Sequence, residues 1–363
     1  MKTLRYVIVG IGAGILSQHK MALELGSFEL VGGMDVTENG RLRAGELRVP
    51  FYDDLNLLIS ETRPDAAVIL APHPFHAKLA IQLLDAGVHV LVEKPIAVRT
   101  SEADAMIEAA KRNGRKLAVN FQHRARGEIL TLSRLIKEGQ LGQVQTIHMV
   151  AAWPRTTFYY KSGAWRGTWR GEGGGVLMNQ APHNLDLWCF MFGLPKRVFS
   201  WTRNLMHDIE PEDTVHAICE WESGALGSLH ISTAEAGRME TLEVVGTKGS
   251  AVVSGKELIF RSLKEDFALT AKTSAEAIPI ITAELGEMQL QPGDGHHLDV
   301  YRNFHDAIVN DAPLLASGEQ GRQSLELANA MILSSHENRP VELPLDRKRY
   351  DELLDELIAK SND

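Results

Sequence analysis

Residues 4–14 read LRYVIVGIGAG, a run that is continuously apolar after Arg5 and ends in alternating glycines. Such a run is typical of a strand buried on both faces of a parallel sheet. Gly10, Gly12 and Gly14 precede a predicted helix over residues 15–25, although Ile15 replaces the third glycine of the strict G-x-G-x-x-G fingerprint. The spacing predicts a turn whose backbone amides, at a helix N-terminus, can approach a pyrophosphate.

An acidic residue follows at the distance that dinucleotide binding requires. Asp35 closes the second predicted strand, 25 positions after Gly10. A carboxylate there accepts hydrogen bonds from ribose hydroxyls and repels a 2′-phosphate. We therefore predict that the loop binds NAD. NADP is the less favoured alternative, and it stays open because Arg41 and Arg43 follow closely and an arginine can accommodate a 2′-phosphate. The alternative for the glycines alone is a tight βα turn without a ligand.

Strands and helices alternate over the first third of the chain. After a strand at residues 28–34, further buried strands are predicted at residues 66–70, 89–92 and 117–119, with helices at 75–86 and 101–114. This alternation predicts an α/β fold with a Rossmann-type doubly wound parallel sheet over residues 1–120.

The pattern changes after that point. Six strand-like runs lie between residues 144 and 261, without helices between most of them, and helical patterns return near residues 297–309, 320–335 and 349–360. Consecutive strands without crossover helices favour antiparallel pairing. We predict an α+β second domain over residues 121–363, built on a mostly antiparallel sheet.

The composition narrows the class of protein. The 363 residues carry 38 Lys and Arg against 47 Asp and Glu, and a chain with a net charge of −9 is a poor binder of nucleic acid. Two cysteines support neither a disulfide framework nor a cysteine zinc site. No apolar run approaches the ~18 residues of a membrane span, and no signal peptide is recognisable. We expect a cytoplasmic protein without membrane or nucleic-acid partners and without a metal.

The motif Glu93-Lys94-Pro95 directly follows the fourth predicted strand. That position is the carboxyl edge of an open parallel sheet, where ligands bind. A lone surface lysine would need no explanation. Beside the positive nicotinamide ring of NAD⁺, however, like charge and partial desolvation would lower the pKa of Lys94, so that it could accept or relay a proton near neutral pH.

A second polar group lies at the start of a predicted helix. Asn179, His183 and Asp186 are spaced i, i+4 and i+7, so a single helix would place them on one face, and Pro182 restricts that face to the first turn. A His–Asp pair there could hold one imidazole tautomer and exchange a proton with an alcohol. The alternative is a buried histidine with local partners.

Several motifs, in matching order along nearly the whole chain, resemble those of the Gfo/Idh/MocA oxidoreductases, the family of glucose–fructose oxidoreductase and inositol dehydrogenase. The matching segments are Gly10-Ile11-Gly12, Asp35, residues 65–76 (DAAVILAPHPFH), residues 87–95 (GVHVLVEKP), Trp165-Arg166 and residues 173–186 (GGGVLMNQAPHNLD). The resemblance implies a Rossmann domain and then an α/β domain with a large open sheet. Because that sheet often makes oligomer contacts in the family, we expect a homo-oligomer, a dimer or a tetramer.

The resemblance also implies roles for single residues. Lys94 would contact the reacting hydroxyl, and His183 would be the general acid/base. Cofactor contacts would come from the glycine loop with Ile15, from Asp35, and from Ala71, Pro72, His73, His76, Glu93, Lys94, Gln122, Trp165 and Arg166. Asn179 stands where the family often has an aspartate, which removes a charged partner from the histidine.

The substrate side is less marked in the sequence. Tyr159 belongs to an aromatic cluster that could face a sugar ring or could equally pack between domains. Asn179 joins Lys94 and His183 in the predicted substrate-facing group. We interpret His297 as a pocket-edge residue that can contact substrate and not as a metal ligand, because no cysteine or spaced carboxylate signature accompanies it.

These observations predict an NAD-dependent oxidoreductase that transfers a hydride between nicotinamide and a secondary hydroxyl or ketone of a sugar, glycoside or cyclitol. The residues by themselves indicate only an alcohol or ketone, and the sugar-like class comes from the resemblance. Two alternatives stay open. One is glycoside cleavage by transient sugar oxidation, elimination and re-reduction; the other is a dinucleotide-binding regulator without catalysis.

Overall fold

The computed structural model describes residues 2–361 and contains two β-sheets. The strands of the first sheet are β1 (Leu4–Val9), β2 (Phe28–Met34), β3 (Phe51–Tyr52), β4 (Ala66–Ile69), β5 (His89–Val92) and β6 (Leu117–Val119). They are all parallel and lie in the order β3-β2-β1-β4-β5-β6. This is the order of a doubly wound Rossmann sheet, which confirms the fold predicted for the N-terminal part.

The strands of this sheet are apolar on both faces because helices cover each side. The helices of this part are α1 (Leu16–Leu23), α2 (Glu38–Glu46), α3 (Leu55–Thr62), α4 (His76–Asp85) and α5 (Thr100–Arg112). The sequence patterns described above did not predict α2, β3 or α3. The start of each missed helix is capped: Thr37 accepts a hydrogen bond from Gly40 N, and Asp54 accepts one from Leu57 N.

The second sheet has nine strands and is mostly antiparallel, as predicted. Its strands are β7 (Val144–Ala152), β8 (Arg197–Arg203), β9 (Thr214–Glu220), β10 (Leu226–Ser232), β11 (Thr241–Gly246), β12 (Gly249–Ser254), β13 (Glu257–Leu263), β14 (Ala283–Leu285) and β15 (Val341–Glu342). Their order is β14-β13-β12-β11-β7-β10-β9-β8-β15, and only the pairing of β7 with β10 is parallel.

One face of this sheet carries helices and the other face is open. The helices of this part are α6 (Gly127–Lys137), α7 (Thr157–Lys161), α8 (Trp169–Glu172), α9 (Val176–Asn179), α10 (Pro182–Phe192), α11 (Phe267–Thr273), α12 (His297–Val309), α13 (Gly318–Glu337) and α14 (Arg347–Lys360). Side chains such as Ala217 and Leu229 are buried on the helical face, whereas Trp201 and Ile218 are 43% and 56% exposed on the other. Helices therefore cover one face of this sheet, and the other face is exposed.

Two C-terminal helices return to the first sheet. Helix α12 packs on α1 and contributes Tyr301 and Phe304 to the apolar core beside β1, while α13 contacts α5 and β6. The division at residues 120/121 stays a prediction, although the two sheets use strands on either side of it. Within residues 2–361, no helix combines the length and the hydropathy that a membrane crossing needs.

Candidate active site

The glycine loop joins β1 to α1 with little room for side chains at its base. Gly10 has a φ of +88°, and a Cβ there would lie 2.6 Å from the backbone nitrogen of Ala71. The loop is open further on, since a Cβ at Gly14 would meet no atom within 4 Å. Within the described residues, the amides of Gly14 and Ile15 make no hydrogen bond to the chain. In Rossmann folds, the free amides of this loop are the groups that can donate to a diphosphate.

Asp35 lies at the end of β2, beside this loop. Its carboxylate accepts hydrogen bonds from Gly12 N (2.8 Å) and from the backbone nitrogen and hydroxyl of Thr37 (2.9 and 2.7 Å). Arg41 does not point there: its guanidinium lies 4.5 Å from the centre of the Phe51 ring and 3.7 Å from a Glu38 oxygen. The Asp35 carboxylate is thus fixed beside the glycine loop.

The turn after β4 carries Ala71, Pro72 and His73 at the carboxyl edge of the sheet. His76 is fully buried behind this turn, and its two ring nitrogens lie 2.8 Å from the Pro95 oxygen and 2.7 Å from the Ala71 oxygen. This geometry gives His76 a positioning role, because it ties the turn to the loop that contains Lys94. The His73 ring is 6.2 Å from the Trp165 ring of the second part.

Glu93 lies at the centre of a buried polar cluster. Its Oε1 accepts a hydrogen bond from Asn120 Nδ2 and lies 3.2 Å from His19 Nε2 and 3.9 Å from His297 Nε2. Burial alone would raise the pKa of Glu93, but these neighbours lower it to about 2, so the group is a carboxylate at neutral pH. On the other side of His19, Nδ1 lies 3.0 Å from the Tyr301 hydroxyl.

His19, Glu93 and His297 also bring three ligand atoms within 4.8 Å of one another. Two imidazoles and a carboxylate are a donor set that can hold a divalent cation. The same atoms also contact one another directly, at 3.2 Å for His19 and 3.9 Å for His297, and the expectation of a site without metal stays a prediction. His297 approaches Glu93 from α12, so this predicted substrate residue lies in the buried polar cluster around Glu93.

Lys94 reaches across the junction between the two parts. Its ammonium donates a hydrogen bond of 2.7 Å to the backbone oxygen of Asn179. Burial lowers the pKa of Lys94; Glu93 and Glu172 oppose this shift, and Arg166 adds to it. A lysine whose pKa is lowered is suited to exchanging a proton near neutrality.

Asn179 and His183 do not share one helix, so the predicted common face was wrong. Helix α9 ends at Asn179 and α10 begins at Pro182, because proline has no N–H to donate and its ring clashes with a preceding helical turn. The Asn179 side chain instead donates to the buried carboxyl group of Glu172, which also accepts a hydrogen bond from Gly167 N (2.6 Å). Burial raises the pKa of Glu172.

The His183 imidazole lies in the first turn of α10 between two aromatic rings. It stacks on His123 with 4.2 Å between ring centres, and its edge faces Phe121 at 5.7 Å. Burial and the charges of His123 and Lys94 lower the pKa of His183 well below its usual value. Its Nδ1 is buried and has no partner within residues 2–361. The histidine is therefore neutral at pH 7, and one of its ring nitrogens is not engaged by the described residues.

Asp186 is not the partner of His183, which corrects the predicted His–Asp pair. Its oxygens accept hydrogen bonds from Arg124 Nε (2.8 Å) and Nη2 (2.6 Å), and both side chains are 1% exposed. Arg124 also donates to the oxygens of Leu315 and Gln320. The Arg124 guanidinium is always charged and has more N–H donors than the His183 imidazole. Asp186 therefore pairs with Arg124 and not with His183.

Tyr159 contacts Arg166 and Gln180 through its hydroxyl group. Its hydroxyl accepts hydrogen bonds from Arg166 Nη1 (2.6 Å) and Gln180 Nε2 (2.9 Å), and the Arg166 guanidinium also lies 4.2 Å from the centre of the Trp165 ring. Trp165 is 37% exposed. Gln122 is buried on the Rossmann side, and its Oε1 has no partner within the described part of the chain.

Three residues of this region were missed as site residues from sequence. His123 follows β6 at the carboxyl edge of the sheet, and this position was a sequence signal for a site residue. His19 lies on α1, one turn beyond the glycine loop, and its contact with Glu93 joins distant segments. Glu172 carried no signal, because only the folded chain brings it to Asn179 and Lys94.

The fold and this site define an oxidoreductase with a nucleotide-binding Rossmann domain. Residues 4–121 match the model of the oxidoreductase family with an NAD-binding Rossmann fold, and residues 129–252 match the GFO/IDH/MocA C-terminal domain. The chain belongs to the Gfo/Idh/MocA oxidoreductase family, as its motifs predicted.

Individual relatives agree with this assignment. The chain is 29% identical to the uncharacterized oxidoreductase YdgJ of Escherichia coli, over 77% of this chain and 81% of that protein. It is 26% identical to 2,7-anhydro-N-acetylneuraminate hydratase of Mediterraneibacter gnavus, over 94% and 97%. The crystal structure of the WlbA dehydrogenase from Chromobacterium violaceum, in complex with NADH and UDP-GlcNAcA, matches with a TM-score of 0.82 and 28% identity, over 95% and 97%.

Proposed function

We propose that the protein is an NAD-dependent dehydrogenase that oxidises a secondary hydroxyl of a sugar, glycoside or cyclitol, or reduces the corresponding ketone. The observation that carries this proposal is the position of Lys94. Its amine lies 2.7 Å from the Asn179 oxygen, just before the helix that holds His183, and its charge contributes to the lowered pKa of that imidazole. Two groups able to exchange protons thus belong to one site.

The glycine loop fits a dinucleotide. Gly10 allows close approach of two strands, the amides of Gly14 and Ile15 are free donors, and Asp35 is held where a ribose hydroxyl would bind. NAD is favoured over NADP because the Asp35 carboxylate would repel a 2′-phosphate, while Arg41 is engaged with Glu38 and Phe51. When bound, NAD supplies the hydride acceptor.

The chain's own residues handle the proton. The neutral His183 imidazole takes the proton of the substrate hydroxyl, and Lys94 holds or relays a proton at the same oxygen. Asn179 positions the lysine through its backbone oxygen, and Glu172 holds Asn179 in turn. Trp165 and Arg166 close the site from the second part, on the side of His73.

Two comparisons support a sugar-like substrate. The WlbA structure contains UDP-GlcNAcA, and the hydratase from Mediterraneibacter gnavus is named for an anhydro sugar. The hydratase also favours a second candidate function, in which a sugar is oxidised transiently, an elimination follows, and the ring is reduced again without net NADH. Both functions use the same hydride and proton steps.

We further propose that the protein is a cytoplasmic homo-oligomer, a dimer or a tetramer. The open face of the nine-stranded sheet supports this, because Trp201 and Ile218 expose apolar surface there. Size-exclusion chromatography with light scattering tests the assembly, and a monomeric mass at micromolar concentration would contradict it.

A panel of polyols, glycosides and cyclitols tests the proposed activity. NADH absorbance would be followed with NAD and NADP in parallel, and product release would be followed by chromatography. The dehydrogenase predicts net NADH with at least one substrate and a preference for NAD. Aglycone release or hydration without net NADH would select the second function, and tight NAD binding without any turnover would contradict both.

A further inference from the structure

Two partly buried arginines flank the ring of Tyr159. The guanidinium carbon of Arg166 lies 4.3 Å from the ring centre and that of Arg155 lies 5.1 Å from it. Within residues 2–361, neither guanidinium has a carboxylate oxygen within 4.0 Å. Nearby arginines differ in this respect, since Arg124 is paired with Asp186 and Arg126 with Glu128.

The hydrogen-bonding capacity of Arg155 is largely unused. Its Nη1 has two long contacts, 3.4 Å to the Trp153 oxygen and 3.2 Å to the Pro154 oxygen. A guanidinium presents five N–H donors in a planar fork, and withdrawing such a charge from water without acceptors is unfavourable. Arg166, by contrast, donates a hydrogen bond of 2.6 Å to the Tyr159 hydroxyl. Within the described part of the chain, Arg155 thus differs from Arg166 in having only backbone oxygens, and no side-chain acceptor, among the hydrogen-bond partners of its guanidinium.

The backbone of Arg155 is held in place before any ligand arrives. Its N–H donates to the Thr233 oxygen (3.0 Å), and its carbonyl oxygen lies 3.0 Å from His207 Nε2. The His207 ring is in turn held by the Asp213 carboxylate at 3.0 Å. An arginine whose backbone is anchored on two sides loses less conformational freedom when it binds an anion.

Arg155 faces the same site as the reacting groups. It borders the Tyr159 ring, and the Tyr159 hydroxyl accepts a hydrogen bond from Gln180 (2.9 Å). Gln180 directly follows Asn179, whose backbone oxygen holds the Lys94 ammonium. The charge of Arg155 also contributes to the lowered pKa of Lys94. A ligand group bound at Arg155 would therefore belong to the molecule that meets Lys94.

We propose that Arg155 binds a carboxylate of the substrate, so that the protein acts on sugar acids in preference to neutral sugars. The inference rests on the proposed dehydrogenase function and deepens it. Arg166 already donates to the Tyr159 hydroxyl, which leaves Arg155 as the specificity-determining residue. A carboxylate accepts two parallel hydrogen bonds from the fork, whereas a hydroxymethyl group leaves the charge unmatched.

Matched probes that differ only in this group test the inference. Uronic acids and aldonic acids would be compared with the corresponding neutral sugars, by NADH formation and by calorimetric binding to the NADH complex. We expect the acid to be preferred by about ten- to a hundredfold in kcat/KM, as for a hydrogen-bonded charge. Arg155→Gln should remove most of that preference, mainly through KM. Arg155→Lys should retain part of it, and Arg112→Gln, at an exposed pair with Asp85, should leave it unchanged.

The outcomes separate this inference from the proposed function. Turnover of neutral sugars with no preference for acids overturns the inference and leaves the dehydrogenase intact. An acid preference that survives in Arg155→Gln also overturns it. If no sugar is oxidised, acids that bind the NADH complex through Arg155 support the inference while the dehydrogenase fails. Binding of phosphorylated sugars alone, or of no probe, overturns the carboxylate assignment.

Discussion

Replacing Asp186 with asparagine removes the charge that faces Arg124 in the interior. Both side chains are 1% exposed, and the carboxylate accepts two hydrogen bonds, at 2.6 and 2.8 Å. Asparagine keeps one acceptor oxygen, but its NH₂ group then faces a guanidinium donor. Breaking a buried pair by removing one partner typically costs about 3–5 kcal/mol because the other charge stays buried. We expect Asp186→Asn to lower the free energy of unfolding by that amount.

Urea unfolding followed by circular dichroism measures this loss. Arg124→Met and the double variant complete a cycle, and the double variant should lose less than the sum of the single variants by about 0.5–3 kcal/mol, as expected for residues in contact. Glu138→Gln is the matched control, because its pair with Arg134 is partly exposed at 3.6 Å and should contribute at most about 1 kcal/mol.

The same variant distinguishes the observed pair from the pair expected from sequence. If Asp186 served His183, its loss would change the pH profile of turnover and leave stability nearly intact. A loss of stability below about 1 kcal/mol in Asp186→Asn, the range of a surface pair, would refute the buried Arg124–Asp186 interaction.

Three further predictions concern the loop, the junction and pH. Gly10→Ala should weaken NADH binding by at least about tenfold, because the added Cβ would lie 2.6 Å from Ala71 N in a backbone conformation that favours glycine. A fluorescence titration measures the affinity, and an unchanged affinity would contradict this prediction. Burial raises the pKa of Glu212 from its usual 4.5 to about 7. Because the folded state then binds the proton more tightly than the unfolded state, stability falls as pH rises from 4.5 to about 7 and changes little above that. Glu212→Gln should flatten that fall when thermal unfolding is followed between pH 4.5 and about 7. The reasoning is refuted if the melting temperatures of the variant and of the unmodified protein change in parallel with pH. The charge of Glu172 raises the pKa of Lys94, so Glu172→Gln should move the ionisation of Lys94 in the pH profile of kcat to lower pH. A shift to higher pH would contradict the interaction between Glu172 and Lys94.

The first sheet was predictable because its signals are local. Buried parallel strands are continuous apolar runs, and the glycines after β1 and the acidic residue after β2 stand at fixed offsets in the chain. The two-residue strands β3 and β15 carry no such run. They exist because neighbouring strands offer them hydrogen bonds.

The site was only partly predictable for a related reason. Lys94 and His183 follow recognisable motifs, but the choice of partner depends on segments far apart in sequence. Asp186 lies near His183 in the chain, yet it pairs with Arg124, 62 positions earlier. Pro182 lies in the first turn of α10, as predicted, but the preceding helix α9 already ends at Asn179, which the spacing argument did not include. Helical spacing places residues on one face only where the helix is continuous.

Turnover by Lys94→Ala tests the proton chemistry at the junction most directly. With the best substrate of the panel, the account predicts that kcat falls by roughly 10²-fold or more, while NADH still binds with an affinity close to that of the unmodified protein. Lys78→Ala, at an exposed position on α4, should retain full activity. Wild-type turnover in Lys94→Ala would contradict the account, because no amine would then be needed beside the reacting carbon.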